Sequence, residues 1–319
     1  MFTNGLEFLA IPAFIGGVLL LYKGSDILVD GTVKTAVQLG VSALIISVLL
    51  VGFGTSAPEF AISVGAAVQN NIDSAGISLG NIIGSCIANL LLVLGIASII
   101  KPIKIKGGII KREVPIMIVA TIILLIWAYF GLLDRSYHII GGVSFLVLFT
   151  VFVGFFVYCA KKERFNNKKY NSGKTWKNII LIMLGIVGVV IGSYLLIESA
   201  VTIANILSIP TFIIAISMVA IGTSLPELVV SAMAAYKGES DVAVGNVLGS
   251  NVFNILLILG FAALFIPLNA AESIDNILIL SGISLLMIPI CFTGNIISRK
   301  EGVLMLIIYA IFIWYIIPK

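Results

Sequence analysis

Two short phrases in this 319-residue chain each occur twice, and the duplication limits what the chain can fold into. GTSAPE runs from Gly54 to Glu59 and GTSLPE from Gly222 to Glu227; GNIIGSCIAN at Gly80 to Asn89 is answered by GNVLGSNVFN at Gly245 to Asn254. The correspondence reaches past the motifs. Gly24, Ser25 and Asp30 match Gly192, Ser193 and Glu198 at an offset of 168, and Ser63 matches Ser231 at the same offset. From Gly80 onward the offset is 165, which places a three-residue length difference in the loop around Asn70 to Asp73.

Each phrase lies within a long apolar run. There are about ten such runs, near residues 6–28, 41–68, 76–100, 113–131, 138–160, 178–200, 209–236, 241–266, 275–295 and 301–317, each long enough to cross ~30 Å of hydrocarbon as a helix. With 60% of residues hydrophobic and 11% charged, the chain carries more apolar surface than a soluble domain can hide. Continuous runs, rather than short alternating segments, exclude a β-barrel and leave helices as the spanning element. The expected fold class is therefore an all-α integral membrane protein with ten transmembrane helices. Five helices per copy is an odd number, so the second copy enters the membrane from the opposite side. The result is two inverted five-helix repeats related by a pseudo-two-fold axis in the membrane plane. The expected division is 1–160 for the first repeat, 161–177 for a basic cytoplasmic linker and 178–319 for the second repeat. The flank of the first segment carries Glu7 instead of a basic cluster, so that segment is expected to stay in the mature protein.

Charge placement sets an orientation. Lys34 follows segment one; Lys101, Lys104, Lys106, Lys111 and Arg112 follow segment three; the stretch from Lys161 to Lys177 follows segment five; and Lys237, Arg299 and Lys300 follow segments seven and nine. All fall on one side of a ten-helix arrangement, and only Arg135 and Lys319 fall on the other. Short cytoplasmic loops collect Lys and Arg, so the basic loops are expected in the cytoplasm and both termini outside a multi-pass cell-membrane protein. The basic stretch reads as a topology signal and lipid contact, not as a nucleic-acid site.

The chemistry lies at the repeated motifs. Pro58 and Pro226 lack an N–H and clash with the carbonyl four residues earlier, so each helix is expected to break near Gly54 or Gly222. Irregular backbone at membrane depth is tolerated where it lines a cavity. Thr55, Ser56 and Glu59 cluster at the first break, and Thr223, Ser224 and Glu227 at the second. Ser85 with Asn89, and Ser250 with Asn254, have i, i+4 spacing and share a helical face. Carboxylates in hydrocarbon cost several kcal/mol and mark ion paths, and no Lys or Arg nearby in sequence neutralises Glu59 or Glu227. An all-oxygen cage suits Ca²⁺ and Na⁺ and suits Zn²⁺ and Cu⁺ poorly.

Other polar features have plainer readings. Cys86, Cys159 and Cys291 lack metal-ligand spacing; His138 is expected at the interface in a short loop; Asp26 and Asp30 are expected to be solvated; and Gly185, Gly188 and Gly192 read as close packing. No nucleophile and base pair appears at membrane depth, so an enzyme is not expected, and no cofactor is implied. A cation channel with two glutamates in its pore is the competing class.

The paired GTS-x-PE and GN-x-x-GS-x-x-x-N phrases resemble the alpha-repeats of the cation/calcium exchanger superfamily, and specifically its sodium/calcium exchanger branch of prokaryotic type. The resemblance covers essentially the whole chain. It implies ten transmembrane helices, alternating access, and exchange of several Na⁺ for one Ca²⁺. The monomer is the expected functional unit. Carried over by motif position, it implies ion ligands at Glu59, Glu227, Thr55, Ser56, Thr223, Ser224, Ser85, Ser250, Asn89 and Asn254, with backbone carbonyls at Gly52 and Ala220. It also implies that segments one and six form a gating pair that slides against the remaining bundle. Some prokaryotic exchangers and the potassium-dependent branch carry Asp where this chain has Asn254, so K⁺ dependence is not expected. Proton/calcium exchangers, the alternative within the superfamily, typically show a different, GN-rich motif around the glutamate. The short inter-repeat loop leaves no room for cytosolic calcium-sensing domains.

Overall fold

The computed structural model describes residues 9–69, 74–105, 112–166, 175–207, 222–292 and 294–316. Within them the chain is helical: α1 Ala10–Leu39, α2 Ala43–Thr55, α3 Ala57–Gln69, α4 Ala75–Ile100, α5 Glu113–Tyr129, α6 His138–Asn166, α7 Thr175–Ile206, α8 Leu225–Lys237, α9 Ser240–Phe265, α10 Ile274–Phe292 and α11 Arg299–Ile316. A two-residue antiparallel ladder joins β1 Ile103–Lys104 to β2 Ile296–Ile297, a pairing too short to leave a sequence pattern. Among the described residues six helices are long and apolar enough to cross a membrane, and seven are if α2 and α3 count as one bent span. Two others fall short for local reasons. α5 has 17 residues, and α11 opens on Arg299, Lys300 and Glu301. Helix α6 continues to Asn166 and α7 begins at Thr175, so described helix enters both ends of the stretch expected as a linker at 161–177, and residues 167–174 lie outside the described residues.

Helices α2 and α3 meet at 48°. The sequence places this break near Gly54; the residue that leaves the helix is Ser56 (φ −79°, ψ 7°), two before Pro58. Ser224 has nearly the same dihedrals (φ −85°, ψ 9°) where it precedes α8 and Pro226. Both GTS motifs therefore end in a helix start whose first turn holds a glutamate, Glu59 in α3 and Glu227 in α8. Three π-helical turns, Ser47–Val51, Asn89–Val93 and Phe253–Ile258, interrupt α2, α4 and α9. Such turns leave the regular i→i−4 ladder and concentrate at functional positions.

Contacts at the helix ends show which loops share a side. At one end the Ser42 amide and the Arg112 guanidinium both reach Glu163 (2.7 and 3.6 Å), the Lys104 amide donates to Ser240 Oγ (3.1 Å), and Arg299 donates to the Ile99 carbonyl (3.0 Å). At the other end Asp134 accepts from the Ala270 and Ala271 amides, and the Leu268 amide donates to the Leu133 carbonyl (2.9 Å). The loops after segments one, three, five, seven and nine thus gather together, and those after four and eight gather opposite them. His138 is not in a loop: it opens α6, and its Nδ1 lies 2.7 Å from the Ala263 carbonyl. Asp26 and Asp30 are not simply solvated, since each carboxylate stands 2.6 Å from Lys237 Nζ.

Helices α1 and α7 pack antiparallel through glycines. A Cβ at Gly24 would stand 2.9 Å from the Val189 amide nitrogen, and one at Gly192 would stand 2.8 Å from that of Leu21; these backbones touch because no side chain intervenes. Leu28 and Val29 of α1 and Ile182 and Val189 of α7 form an apolar cluster with Val51, Val230 and Val242, separate from the main core. That core is built by α4, α5, α6, α9, α10 and α11 around Ile87, Leu91, Met117, Phe145, Leu259 and Met305.

Candidate cation site

Helices α3 and α4 form a hairpin in which Asn81 Nδ2 donates to Ser63 Oγ (2.9 Å) and to the Glu59 carbonyl (3.5 Å). The same clamp recurs between α8 and α9, where Asn246 Nδ2 donates to Ser231 Oγ (3.0 Å) and to the Glu227 carbonyl (3.3 Å). Each clamp fixes the turn that carries a glutamate. Asn81 and Asn246 are the asparagines of the two GN phrases. The duplication made them visible in sequence, but their role needed the hairpin geometry.

Between the clamps the two motifs exchange partners. Thr55 Oγ1 lies 3.3 Å from Ser250 Oγ, and Thr223 Oγ1 lies 2.9 Å from Ser85 Oγ, so the threonine of each copy meets the serine of the other. Ser56 and Ser250 both donate to Glu227 Oε1, at 3.4 and 3.3 Å. Thr55 also donates to Asn246 Oδ1 (3.0 Å). The Gly52 carbonyl accepts from Ser250 Oγ (3.2 Å) and Thr55 Oγ1 (3.4 Å), which puts this backbone oxygen in the cluster. A Cβ at Gly52 would approach the Ser250 amide to 2.9 Å, so the glycine is what lets α2 lie against α9 here.

Glu59 and Glu227 are fully buried, as are Asn89 and Asn254, and Ser224 is buried beside them in sequence. Several of their oxygens have no hydrogen-bond partner: both carboxylate oxygens of Glu59, Glu227 Oε2, Asn89 Oδ1 and Asn254 Oδ1. An unpaired buried acceptor costs ~1–3 kcal/mol and a buried bare charge more. Five bare acceptors on four buried residues are a donor set that a cation satisfies. Hydrogen bonds join Thr55, Ser56, Ser250, Glu227 and the Gly52 carbonyl, and separately Ser85 with Thr223; Glu59, Asn89, Asn254 and Ser224 are buried, and Ala220 lies outside the described residues. Among the described residues no cluster of three or more His, Cys, Asp or Glu forms, and the polar atoms gathered here are those of carboxylates, hydroxyls, amides and a backbone carbonyl. On its outer flank a small apolar cavity walled by Phe53, Phe60 and Phe253 reaches Ser56.

The chain is similar to known proteins over most of its length. The family described as "Sodium/calcium exchanger protein" matches residues 9–158 and 177–317. The sodium/calcium exchanger MaX1 of Methanosarcina acetivorans is 33% identical over 93% of this chain and 95% of its own length. The putative antiporter CaxA of Alkalimonas amylolytica is 37% identical over 79% of each chain. The solved structure of the sodium-calcium exchanger NCX_Mj soaked with 2.5 mM Na⁺ and 0.1 mM Ca²⁺ superposes with a TM-score of 0.81 at 34% identity, covering 97% of this chain and 98% of that one. The chain belongs to the sodium/calcium exchanger family.

Proposed function

We propose that the protein is a secondary antiporter that exchanges Na⁺ for Ca²⁺ by alternating access, with both ions bound in turn at the cage around Glu59 and Glu227. The observation that carries this reading is the set of buried, unpartnered oxygens on Glu59, Glu227, Asn89 and Asn254. Oxygen-only ligation by carboxylates, amides, hydroxyls and a carbonyl is the donor set of hard cations. Two carboxylates balance one Ca²⁺ or two Na⁺, with any further Na⁺ held by neutral oxygens. One cage therefore holds either load but not both, and mutual exclusion couples the fluxes. Exchange of more than two Na⁺ per Ca²⁺ moves net charge, worth ~2.3 kcal/mol per charge across ~100 mV, so direction depends on voltage as well as on gradients.

The ligand set comprises Glu59, Glu227, Thr55, Ser56, Thr223, Ser224, Ser85, Ser250, Asn89 and Asn254, with the carbonyls of Gly52 and Ala220. The protein acts as a monomer in the bilayer, as ten spans in two inverted five-helix repeats divided by a basic cytoplasmic linker, with both termini outside. Support comes from the gathering of odd-numbered loops at one end, where the described Lys and Arg residues concentrate, and from the antiparallel course of α1 and α7. The separate apolar cluster of α1 and α7 supports their movement as a unit. The test is Ca²⁺ uptake into proteoliposomes loaded with Na⁺. Uptake that collapses without the outward Na⁺ gradient is expected. Uptake that proceeds equally without internal Na⁺ would indicate a channel, and uptake driven by a proton gradient alone would indicate proton/calcium exchange.

A further inference from the structure

Cys86 and Asn251 occupy equivalent places in the two copies, at the offset of 165, and they touch each other. Asn251 Nδ2 donates to the Cys86 carbonyl (3.2 Å), and Cys86 Sγ lies 3.9 Å from the Asn251 carbonyl. Residues that meet their own counterparts lie where the two copies face one another, so α4 and α9 cross here. Both side chains are buried. The two copies differ chemically at this point, one presenting a thiol and the other an amide.

The amide has a consequence for the cage. A backbone carbonyl can only accept, so Asn251 must turn its NH₂ to Cys86 and its Oδ1 the other way. That Oδ1 accepts from Asn89 Nδ2 (3.1 Å), which commits the Asn89 amide in turn: its nitrogen is held, and its Oδ1 is left buried and bare. The polarity of the whole chain, from the Cys86 carbonyl through Asn251 to Asn89, thus follows from one group that cannot donate. Without it, nothing here would prevent Asn89 from offering its NH₂ to the cage, an orientation that repels a cation. The other copy has no such device. Cys86 stands where an amide would have to be: its thiol approaches Asn254 as a weak, rotatable partner in place of an amide that fixes one orientation, and neither amide atom of Asn254 makes a regular hydrogen bond.

We propose that Asn251 is a positioning residue for ion binding: it locks the Asn89 carbonyl oxygen toward the cation, while Asn254 contributes an amide free to turn. The two amide ligands are then unequal although their sequence positions are equivalent. This rests on the cage assignment above, and the experiment separates the two. Asn251→Cys places at 251 the residue that the chain already uses at the equivalent site. Half-saturating Ca²⁺ and maximal rate are measured by Na⁺-driven Ca²⁺ uptake for wild type, Asn89→Ala, Asn251→Cys and the double variant, with thermal unfolding in detergent recorded for each. Asn251→Cys is expected to raise half-saturating Ca²⁺ roughly tenfold, the usual scale for loss of a group that orients a ligand, and to add nothing in the Asn89→Ala background. Asn251→Ser, whose short hydroxyl removes the amide that accepts from Asn89, is expected to do the same and serves if the first variant is recovered poorly. An unchanged half-saturating concentration in either 251 variant, or a full additional loss on top of Asn89→Ala, overturns the proposal. If Asn89→Ala itself leaves Ca²⁺ saturation unchanged, the placement of Asn89 in the cage fails instead.

Discussion

Replacing Glu59 by Gln tests whether the unpaired carboxylate is there for a cation. A divalent ion centred ~4 Å from the carboxylate charge interacts with it by ~8 kcal/mol at an effective dielectric of ~20. Stripping water from the ion and the carboxylate offsets more than half of that. A net loss of about 3 kcal/mol remains, which is on the order of 100-fold in Ca²⁺ affinity. Losing one neutral ligand, as in Thr55→Ala or Thr223→Ala, removes about 1 kcal/mol and costs only several-fold. The same substitution acts in the other direction on the empty protein. Both Glu59 oxygens are buried without partners, so an uncharged amide relieves the ion-free fold of a bare charge. Glu59→Gln is therefore expected to unfold in Ca²⁺-free buffer at or above the wild-type temperature. Ca²⁺ at about 100 times its dissociation constant stabilises the wild type by ~2.7 kcal/mol and leaves the variant nearly unmoved. Glu227 differs, because Ser56 and Ser250 donate to its Oε1 and can donate equally to an amide oxygen. Glu227→Gln should lose transport without the gain in ion-free stability. Thermal unfolding with and without Ca²⁺, paired with vesicle flux, reads both effects. Near-normal coupled flux in Glu59→Gln, or a Ca²⁺-induced stabilisation equal to that of wild type, refutes the assignment.

Transport is also expected to fall on acidification, since protonating Glu59 or Glu227 removes the charge that holds the ion; half-saturating Ca²⁺ that stays constant through the acidic range would contradict carboxylate coordination. Gly24→Val should push α1 from α7, because a Cβ would already stand 2.9 Å from the Val189 amide and the backbone there has no side chain to move aside. A destabilisation of ~1–3 kcal/mol, measured by thermal unfolding, is the scale for such overpacking, and an unaffected variant would mean that the two helices are not locked together. Asn254→Asp adds a third carboxylate to a cage whose pair is expected to balance Ca²⁺, so the variant should become more pH-sensitive or respond to K⁺, whereas wild type is expected to need none. Flux measured with and without K⁺ at several pH values decides this, and a K⁺ requirement in wild type would refute the expectation drawn from Asn254.

What was legible in the sequence was whatever the two copies share. Glu59 and Glu227, the hydroxyls beside them and the breaks at Pro58 and Pro226 stand out because identical chemistry recurs in apolar surroundings. The all-helical membrane class followed from run length alone. What escaped depends on contacts that sequence offset does not encode. Lys237 reaches Asp30 across 207 positions, and the two-residue ladder pairs Ile103 with Ile297. Asn81 and Asn246 were visible as repeated residues, but only the α3–α4 and α8–α9 hairpins bring them to Ser63 and Ser231. Asn251 was hidden for the opposite reason. It is a position at which the copies disagree in chemistry, Cys86 against Asn251, and a search for matching residues passes over it. His138 was misplaced because Asp134 and Arg135 suggest a loop, whereas the helix begins three residues later.

The division of labour between helices bears on the proposal that α1 and α7 move as a unit over the cage. Every ligand assigned to it comes from α2, α3, α4, α8 or α9 or from the residues leading into them, and its cross-copy hydrogen bonds, Thr55 with Ser250 and Thr223 with Ser85, run among the same elements. Helices α1 and α7 supply none of these ligands. They press on the outside instead: Ile186 of α7 lies directly against Gly54 in the GTS motif, and the α1–α7 cluster packs on Val51 and Val230. Apolar surfaces that meet through Val, Leu and Ile hold together without directional bonds, so sliding them forfeits little while the hydrogen-bonded cage stays assembled. The charged tie from Lys237 to Asp26 and Asp30 joins α8 to α1 near the end of that interface, partly exposed to solvent, where separating the charges is cheapest. A pair that moves as a unit over a fixed cage can expose it to either side in turn, which is what exchange at a single shared site requires.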